Sequence, residues 1–243
     1  MELRLKIAAS KLISIQLGAV LVKLFYSSAS PYVRKVVVTA IEAGLDNEIE
    51  RVTPSDSVWI GNGDAEVSDN NPLGKIPTLI TRDGDALIDS TLICEYLSCL
   101  KPEAKLLPSA GSPRWRVLNV QAMAQGAMDA VMLRAIETQM RPDHLFWEDG
   151  VARQSVKVMR TFRSFDTMIA DGQSDVIKDG VVNLGAITLG CVLGYLEQRL
   201  NDHDWRENHT YLSAWYDDFS NRPSMMETVP APLPPAHLDP RKG

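Results

Sequence analysis

The tetrapeptide Ser30-Pro31-Tyr32-Val33 stands where a predicted strand gives way to a predicted helix. The preceding apolar run, Val22 to Tyr26, predicts a short buried strand, and serine followed by proline is typical of a helix N-cap and first helical residue. A helix N-terminus has free N–H groups and a partial positive charge, so it stabilises an anion such as a thiolate. Two interpretations of Ser30 are therefore open: its hydroxyl donates to a bound thiolate, or it only caps the helix.

A second candidate site is the loop Asn71 to Leu79, which contains two prolines. Proline has no N–H to donate to a strand ladder, so Pro77 must occupy the first position of a strand or lie outside the pairing edge. If the Ile76–Pro77 peptide bond is cis, we predict that the backbone N–H and C=O of Ile76 face outward, where a bound peptide pairs with them as an extra strand. The alternative is an ordinary loop.

The third candidate is the pair Asp89-Ser90, at the start of a helix predicted over Ser90 to Leu100. Ser90 and the helix N-terminus together are suited to bind a carboxylate. Asp89 is suited to accept a charge-assisted hydrogen bond from an α-amino group. The alternative is a plain N-cap with an acidic neighbour.

The elements that must position these residues differ between the two halves of the chain. Residues 22–102 predict the order β-α-β-(α)-β-β-α, with an Asp-Gly hairpin that makes the sheet mixed. Three prolines in residues 101–113 predict a linker. Beyond the linker, apolar residues recur at helical spacing over residues 115–140, 150–170, 184–199 and 210–219. The sequence thus predicts an α/β domain, an all-helical domain over residues 112–228 and a proline-rich tail over residues 229–243.

Composition excludes several functions. The 243-residue chain has a net charge of −6 and no run of basic residues, which argues against nucleic acid and against a membrane surface as partners. Its three cysteines, Cys94, Cys99 and Cys191, form no CxxC pair and have no histidine at ligand spacing, so we expect neither a disulfide framework nor a metal site. Cys94 and Cys191 stand in apolar stretches and are expected to be buried, inert thiols. This usage fits a reducing cytoplasm.

The N-terminal segment contains an apolar run, Leu12 to Val22, preceded by two lysines. The run is shorter than the roughly 20 apolar residues that span a bilayer, and signal-peptide cleavage near Ser27 would destroy the strand at Val22 to Tyr26. We therefore interpret residues 1–21 as an extension upstream of the first domain. An amphipathic helix lying on a surface is the alternative.

In their order and spacing, five segments resemble the glutathione transferase superfamily, and the resemblance covers nearly all of residues 22–228. The segments are LFYSSASPYVRKVVVTAIEAGL (24–45), NPLGKIPTL (71–79), DGDALIDSTLICEYL (83–97), VNLGAITLGCVLGYLEQRL (182–200) and DWRENHTYLSAWYDDFSNRPSM (204–225). The resemblance implies an α/β thioredoxin-like domain at residues 22–102 and an all-α domain after it, in a cytoplasmic homodimer. In this family the turn at Ser30 to Val33 corresponds to the Cys-Pro-Tyr-Cys turn of glutaredoxins. Because Ser30 and Val33 replace both cysteines, dithiol exchange on the protein's own residues is excluded.

The resemblance also implies an activity: addition of the glutathione thiolate to small, mostly apolar electrophiles, as in detoxification, with glutathione as co-substrate and no metal. Ser30 would donate to the sulfur, with Ser27 and Ser28 as substitutes. The implied glutathione-binding residues are Lys75 for the glycyl carboxylate, Ile76 with Pro77 for the cysteinyl backbone, and Asp89 with Ser90 for the γ-glutamyl end. The implied co-substrate pocket is lined by Tyr32, Met123 and Ala127.

Two other functions stay open at this point. The first is a non-catalytic glutathione-binding or interaction module, because a fold does not fix a function. The second is a peroxidase or dehalogenase variant, which needs only a different electrophile. The family's late helix usually opens with a capping box, whose acid is replaced here by Ala186 after Asn183; this departure concerns folding stability rather than chemistry.

Overall fold

Four short strands form a mixed sheet in the first half of the protein. The computed structural model describes residues 22–55, 65–172, 174–202 and 204–230. The strands are β1 (Val22–Phe25), β2 (Ile49–Val52), β3 (Thr78–Ile80) and β4 (Ala86–Leu87), in the order β2-β1-β3-β4. β1 and β2 are parallel, whereas β3 runs antiparallel to both β1 and β4. The sheet is therefore mixed, as the Asp-Gly hairpin predicted.

Helices make up most of the remaining described structure. Those in the first half are α1 (Pro31–Glu42), α2 (Ala65–Asn70) and α3 (Ser90–Leu100). Those in the second half are α4 (Gly111–Gln139), α5 (Glu148–Ala170), α6 (Leu184–Leu200), α7 (Trp205–Asn208), α8 (Thr210–Ser220) and α9 (Pro223–Met226). Short 3₁₀ turns lie at Asp46–Glu48, Pro102–Ala104 and Asp143–Leu145. Among the helices described, none is both long enough and apolar enough to cross a membrane.

Helix α1 begins where Ser30 and Pro31 predicted a helix start. Ser30 is the N-cap, and Pro31 occupies the first helical position, where no N–H is needed. Gly44 follows the helix with a φ of +70°, a backbone region that glycine enters without steric cost. Helix α1 packs against both α3 and α6, so it contacts the helices of both halves.

Helix α6 lies at the centre of the second half and is buried along most of its length. Its N-cap Asn183 accepts a hydrogen bond from the Ala186 N–H at 3.0 Å and donates from Nδ2 to the Val176 carbonyl at 2.8 Å. Helices α4 and α6 approach closely at Gly185. A Cβ added to this glycine would lie 2.9 Å from the side chain of Val120, so a larger residue would not fit there without a shift. The second bond of Asn183 anchors the helix although the capping-box acid is missing.

The predicted fold class is confirmed: a small mixed sheet with helices precedes a part in which all described elements of secondary structure are helices. Helix α4 begins at Gly111, earlier than the predicted residue 115. Pro113 falls within its first turn, where a missing N–H breaks no helical hydrogen bond. The predictions for residues 1–21 and 231–243 lie outside the described residues, and the exact domain limits stay predictions.

Candidate functional site

Three chain segments meet at one edge of the sheet. Phe25 at the end of β1 pairs with Thr78 at the start of β3, and Leu79 pairs with Leu87 at the end of β4. This register places the exits from β1 and β4 beside the entrance to β3. The segments that meet there, which we call the site edge, are residues 26–30, 71–77 and 88–90. All three candidate segments of the sequence therefore converge.

The first of these segments ends at the helix cap Ser30. The Ser30 side chain is buried, and its Oγ accepts a hydrogen bond from the Val33 N–H at 3.3 Å. Accepting this bond does not use the hydroxyl proton, because a serine hydroxyl has one donor and two acceptor positions. The two interpretations of Ser30 are therefore compatible: the same hydroxyl can cap α1 and donate to an anion.

The two earlier serines of this turn are placed differently. The Ser27 Oγ accepts a hydrogen bond from the Ala29 N–H at 3.3 Å, and the side chain is half-buried. Ser28 is exposed. Of the three serines, Ser30 is the one that combines a hydroxyl with the N-terminal end of α1.

Tyr32 contacts the helical half of the protein. Its phenol donates a hydrogen bond to Oδ1 of Asp129 on α4 at 2.8 Å. Burial, followed by the charge of Asp129 and the hydrogen bond to it, raises the pKa of Tyr32 far above its ordinary value. Tyr32 is therefore protonated at neutral pH, and its proton is directed to a carboxylate rather than to a ligand sulfur.

The predicted pocket residues Met123 and Ala127 lie on a different face of α4 from Asp129. At about 100° per residue, Ala127 is roughly 160° and Met123 roughly 120° around the helix from Asp129. Ala127 is only 2% exposed. Gln125, whose Nε2 donates to Asp129 Oδ1 at 3.1 Å, shares the face that meets Tyr32. The geometry thus favours Asp129 over Ala127 as a neighbour of Tyr32, and the pocket assignment stays a prediction.

The second segment of the site edge is held by a buried asparagine. The Nδ2 of Asn71 donates to the Lys75 carbonyl and to the Thr78 hydroxyl, both at 2.9 Å. The Thr78 hydroxyl in turn donates to the same Lys75 carbonyl at 2.8 Å. These bonds fix the loop on either side of Ile76.

The Ile76–Pro77 peptide bond is cis. Ile76 precedes Thr78, the first paired residue of β3, so its backbone groups lie outside the strand ladder. The Ile76 side chain is half-buried and Lys75 is exposed, whereas Pro77 is buried. The loop therefore presents its residues 75 and 76 at the site edge and packs Pro77 inward.

The third segment carries the N-cap of α3. The Oδ1 of Asp89 accepts hydrogen bonds from the N–H groups of Thr91 at 2.8 Å and Leu92 at 3.3 Å. Both cap bonds use one carboxylate oxygen, so Oδ2 retains its acceptor capacity. Ser90, in the first helical position, is 2% exposed. As with Ser30, capping does not exhaust what this residue pair can bind.

Comparison with known proteins assigns the family. Residues 29–99 match the family model described as "Glutathione S-transferase, N-terminal domain". The chain is 32% identical over 208 residues to the "Uncharacterized GST-like protein YibF" of Escherichia coli (strain K12), a match that covers 86% of this chain and 98% of YibF. The protein belongs to the glutathione transferase superfamily.

Two solved structures of glutathione transferases are similar to this one over most of the chain. A glutathione transferase family member from Pseudomonas fluorescens Pf-5, with bound glutathione, is 37% identical with a TM-score of 0.78 and covers 86% of this chain and 99% of its own. A glutathione S-transferase from Methylobacillus flagellatus KT, with glutathione bound, is 35% identical with a TM-score of 0.75 and covers 86% and 100%.

Two of the three cysteines of this glutathione transferase family member are buried. Cys94 and Cys191 are buried, and burial raises the pKa of Cys94 above its ordinary value and that of Cys191 to about 11. Cys99 is exposed. Within the ranges that the structure describes, no group of three or more His, Cys, Asp or Glu side chains is placed to hold a metal ion.

Sequence reasoning did not predict the contacts of three groups at the site: Asn71, the pair Gln125 and Asp129, and Lys35. Asparagine before proline is a turn signal, yet the bonds of Asn71 reach across the loop to Thr78. Asp129 is 97 residues from its partner Tyr32. Lys35 is fully buried although lysine is among the residue types most often exposed. Neither amino-acid composition nor hydrophobic periodicity predicts contacts between residues so far apart in the sequence.

Proposed function

We propose that this protein is an enzyme that adds the thiolate of glutathione to small, mostly apolar electrophiles. The observation that supports the proposal is the convergence of a serine-capped helix end, a cis-proline loop and an Asp-Ser helix start at one edge of the sheet. Each provides a different group for a peptide thiol. The glutathione bound in the Pseudomonas fluorescens and Methylobacillus flagellatus relatives supports the same ligand here.

Ser30 is proposed to stabilise the thiolate. A free thiol has a pKa of about 8.5, so most of it is protonated at neutral pH. A hydroxyl donor and the N-terminal end of α1 both favour the charged form and lower that pKa. The sulfur then attacks the electrophilic carbon, a carbon–sulfur bond forms, and the leaving group departs with its electron pair.

The remaining site residues are proposed to bind the tripeptide. The backbone of Ile76, held in place by Pro77, pairs with the cysteinyl residue of glutathione. Asp89 accepts from the α-amino group, and Ser90 with the end of α3 binds the γ-glutamyl carboxylate. Lys75 binds the glycyl carboxylate. The co-substrate then lies beside Tyr32, with Met123 and Ala127 as the pocket residues expected from family resemblance and Asp129 as a further neighbour.

The alternative is a glutathione-binding module without chemistry. The cap bond from Val33 to Ser30 accounts for a buried serine at this position without any reaction, so it fits this alternative as well. Purified protein should be tested for retention on immobilised glutathione and for turnover of an activated aryl halide, an alkyl halide and an organic hydroperoxide. We expect retention and saturable turnover of the aryl halide. Turnover of only the alkyl halide or the hydroperoxide would change the proposed reaction. Retention without turnover would support the binding module. The absence of both retention and turnover would refute both functions.

The homodimer and the cytoplasmic location that the resemblance implies stay part of this proposal. Light scattering on the purified protein tests the first. We expect a mass near twice that of the 26.9 kDa chain. A mass equal to one chain would contradict the homodimer.

A further inference from the structure

Lys35 on α1 is a fully buried charge at the junction of the two halves. Its side chain has 0% exposure. The Nζ donates to Oε1 of Gln125 on α4 at 2.6 Å and to Oγ1 of Thr91 on α3 at 3.1 Å. Among the residues described, no carboxylate lies within ion-pair distance of this ammonium, so both of its direct partners are neutral.

Such an arrangement is costly for the fold. A buried ammonium without a carboxylate partner loses its hydration. Replacing such a group by a well-packed apolar residue of similar volume often leaves the protein as stable or makes it more stable. Burial accordingly lowers the pKa of Lys35, although the negative charges of the Asp89 and Asp129 carboxylates act in the opposite direction. Packing alone therefore does not explain a lysine at this position.

The bonds of Lys35 lead directly to the third segment of the site edge. Thr91 accepts from Lys35 through its hydroxyl, and its backbone N–H donates to Asp89 at 2.8 Å. Ser90 lies between these two residues in the chain. Lys35 thus contacts the first turn of α3 from the interior of the protein.

The bonds lead in the other direction to the first segment. Gln125 accepts from Lys35 and donates to Asp129, which also accepts from the Tyr32 phenol at 2.8 Å. Tyr32 follows Ser30 by two positions. A continuous chain of hydrogen bonds therefore joins the first turns of the two helices at the site edge through two side chains of the helical half, Gln125 and Asp129.

We propose that Lys35 is a positioning residue for the γ-glutamyl end of glutathione. Its ammonium fixes Thr91, and with it the first turn of α3 that carries Asp89 and Ser90. It also adds positive charge behind the place where the γ-glutamyl carboxylate binds. This inference rests on the proposed glutathione site and adds a residue that does not touch the ligand.

The test compares two thiols by calorimetry: glutathione, and cysteinylglycine, which lacks the γ-glutamyl group. In Lys35→Met, which keeps the length of the side chain and removes the charge, we expect about tenfold weaker binding of glutathione and unchanged binding of cysteinylglycine. Lys101→Met is the control for the loss of a lysine charge, because Lys101 lies at the opposite end of α3, where its ammonium forms an ion pair with Glu48 at 3.8 Å. We expect it to change neither affinity.

A second variant keeps the test decisive if Lys35→Met does not fold. Thr91→Val removes the hydroxyl that Lys35 binds and retains the side-chain shape, and it should show the same selective loss. Equal weakening of both thiols in these variants would indicate a merely structural role and overturn the proposal, as would unchanged glutathione binding. A parent protein that binds neither thiol would instead refute the glutathione site itself, and this inference with it.

Discussion

The two helix N-termini at the site edge are capped by different chemistry. Helix α1 is capped by the neutral hydroxyl of Ser30 and has no acidic residue in its first turn. Helix α3 is capped by the carboxylate of Asp89, which accepts from two N–H groups. Both cap residues have an extended backbone, and the charge of the cap distinguishes what each helix end can attract.

At α1 the partial positive charge of the helix end is not offset by a side chain, so this end suits an anion such as the glutathione thiolate. At α3 the Asp89 carboxylate adds a negative charge beside the helix end, so this place suits both charged groups of the γ-glutamyl residue: the ammonium at Asp89, and the carboxylate at Ser90 and the helix N–H groups. The site edge thus contains two helix N-termini, and the cap residue of each determines which charged group of the ligand it suits. The comparison predicts which substitutions affect binding and which affect chemistry.

The largest effect is expected at α3. Asp89→Asn keeps an efficient N-cap and removes the charge, so the free energy of unfolding should change little. The KM for glutathione should rise about tenfold or more, because the charge-assisted hydrogen bond to the α-amino group is worth about 1.5–3 kcal/mol. Steady-state kinetics against glutathione concentration, with a thermal melt alongside, measure both. An unchanged KM would show that Asp89 is only a cap.

The next largest effect is expected at α1. Ser30→Ala should leave glutathione affinity nearly unchanged and raise the pKa of the bound thiol, which lowers the rate at neutral pH about tenfold for each pKa unit. The lost cap should also lower the free energy of unfolding by about 0.5–2 kcal/mol. Because both effects arise from one hydroxyl, only the pH–rate profile separates the catalytic role from the cap.

Two variants of the same turn serve as controls for Ser30→Ala. Ser30→Thr keeps a hydroxyl and a cap, and it should retain the profile. Ser27→Ala removes a half-buried hydroxyl that lies outside the helix cap, and it should retain the profile as well. A shift in Ser27→Ala without one in Ser30→Ala would transfer the catalytic role to Ser27.

Most of the fold could be predicted from the sequence because its signals are local. The apolar run before Ser30, the Asp-Gly hairpin and the serine–proline helix start each depend on a few neighbouring residues. The start of α4 at Gly111 was missed because Pro113 reads as part of a linker, whereas a helix tolerates proline in its first turn. Local signals fail where a residue is compatible with two structures.

The candidate site could be predicted only in part. Caps and prolines mark Ser30, Ile76 and Asp89 in the chain, so local signals indicated the three segments that meet in the structure, and the roles of these residues stay predictions. Asp129 and Lys35 act through contacts between helices that are far apart in sequence, and the helical period of α4 alone does not indicate which of its faces meets α1. The pocket residues Met123 and Ala127 were predicted without that information and stay predictions, and the contact of Asp129 with Tyr32 was not predicted.

The smallest effect is expected at the far end of α1, which provides a control for the comparison of N-termini. Glu42, the last residue of α1, accepts from Nε and Nη2 of Arg222, both at 2.9 Å, and from the Ser224 hydroxyl. Burial opposes its ionisation, but the hydrogen bonds from Arg222 and Ser224 outweigh it and hold the pKa of Glu42 below its ordinary value.

A lowered pKa in the folded state means that Glu42 contributes stability above the ordinary carboxyl pKa and loses this contribution as the pH falls through the lowered value. Glu42→Gln should therefore reduce the free energy of unfolding by about 1 kcal/mol at neutral pH, and the difference from the parent should vanish in acid. Denaturant unfolding at several pH values measures it. The pH–rate profile should stay in place, because Glu42 lies at the opposite end of α1 from Ser30. A shifted profile would mean that charge anywhere on α1 tunes the thiol, and the special role given to its N-cap would then be wrong.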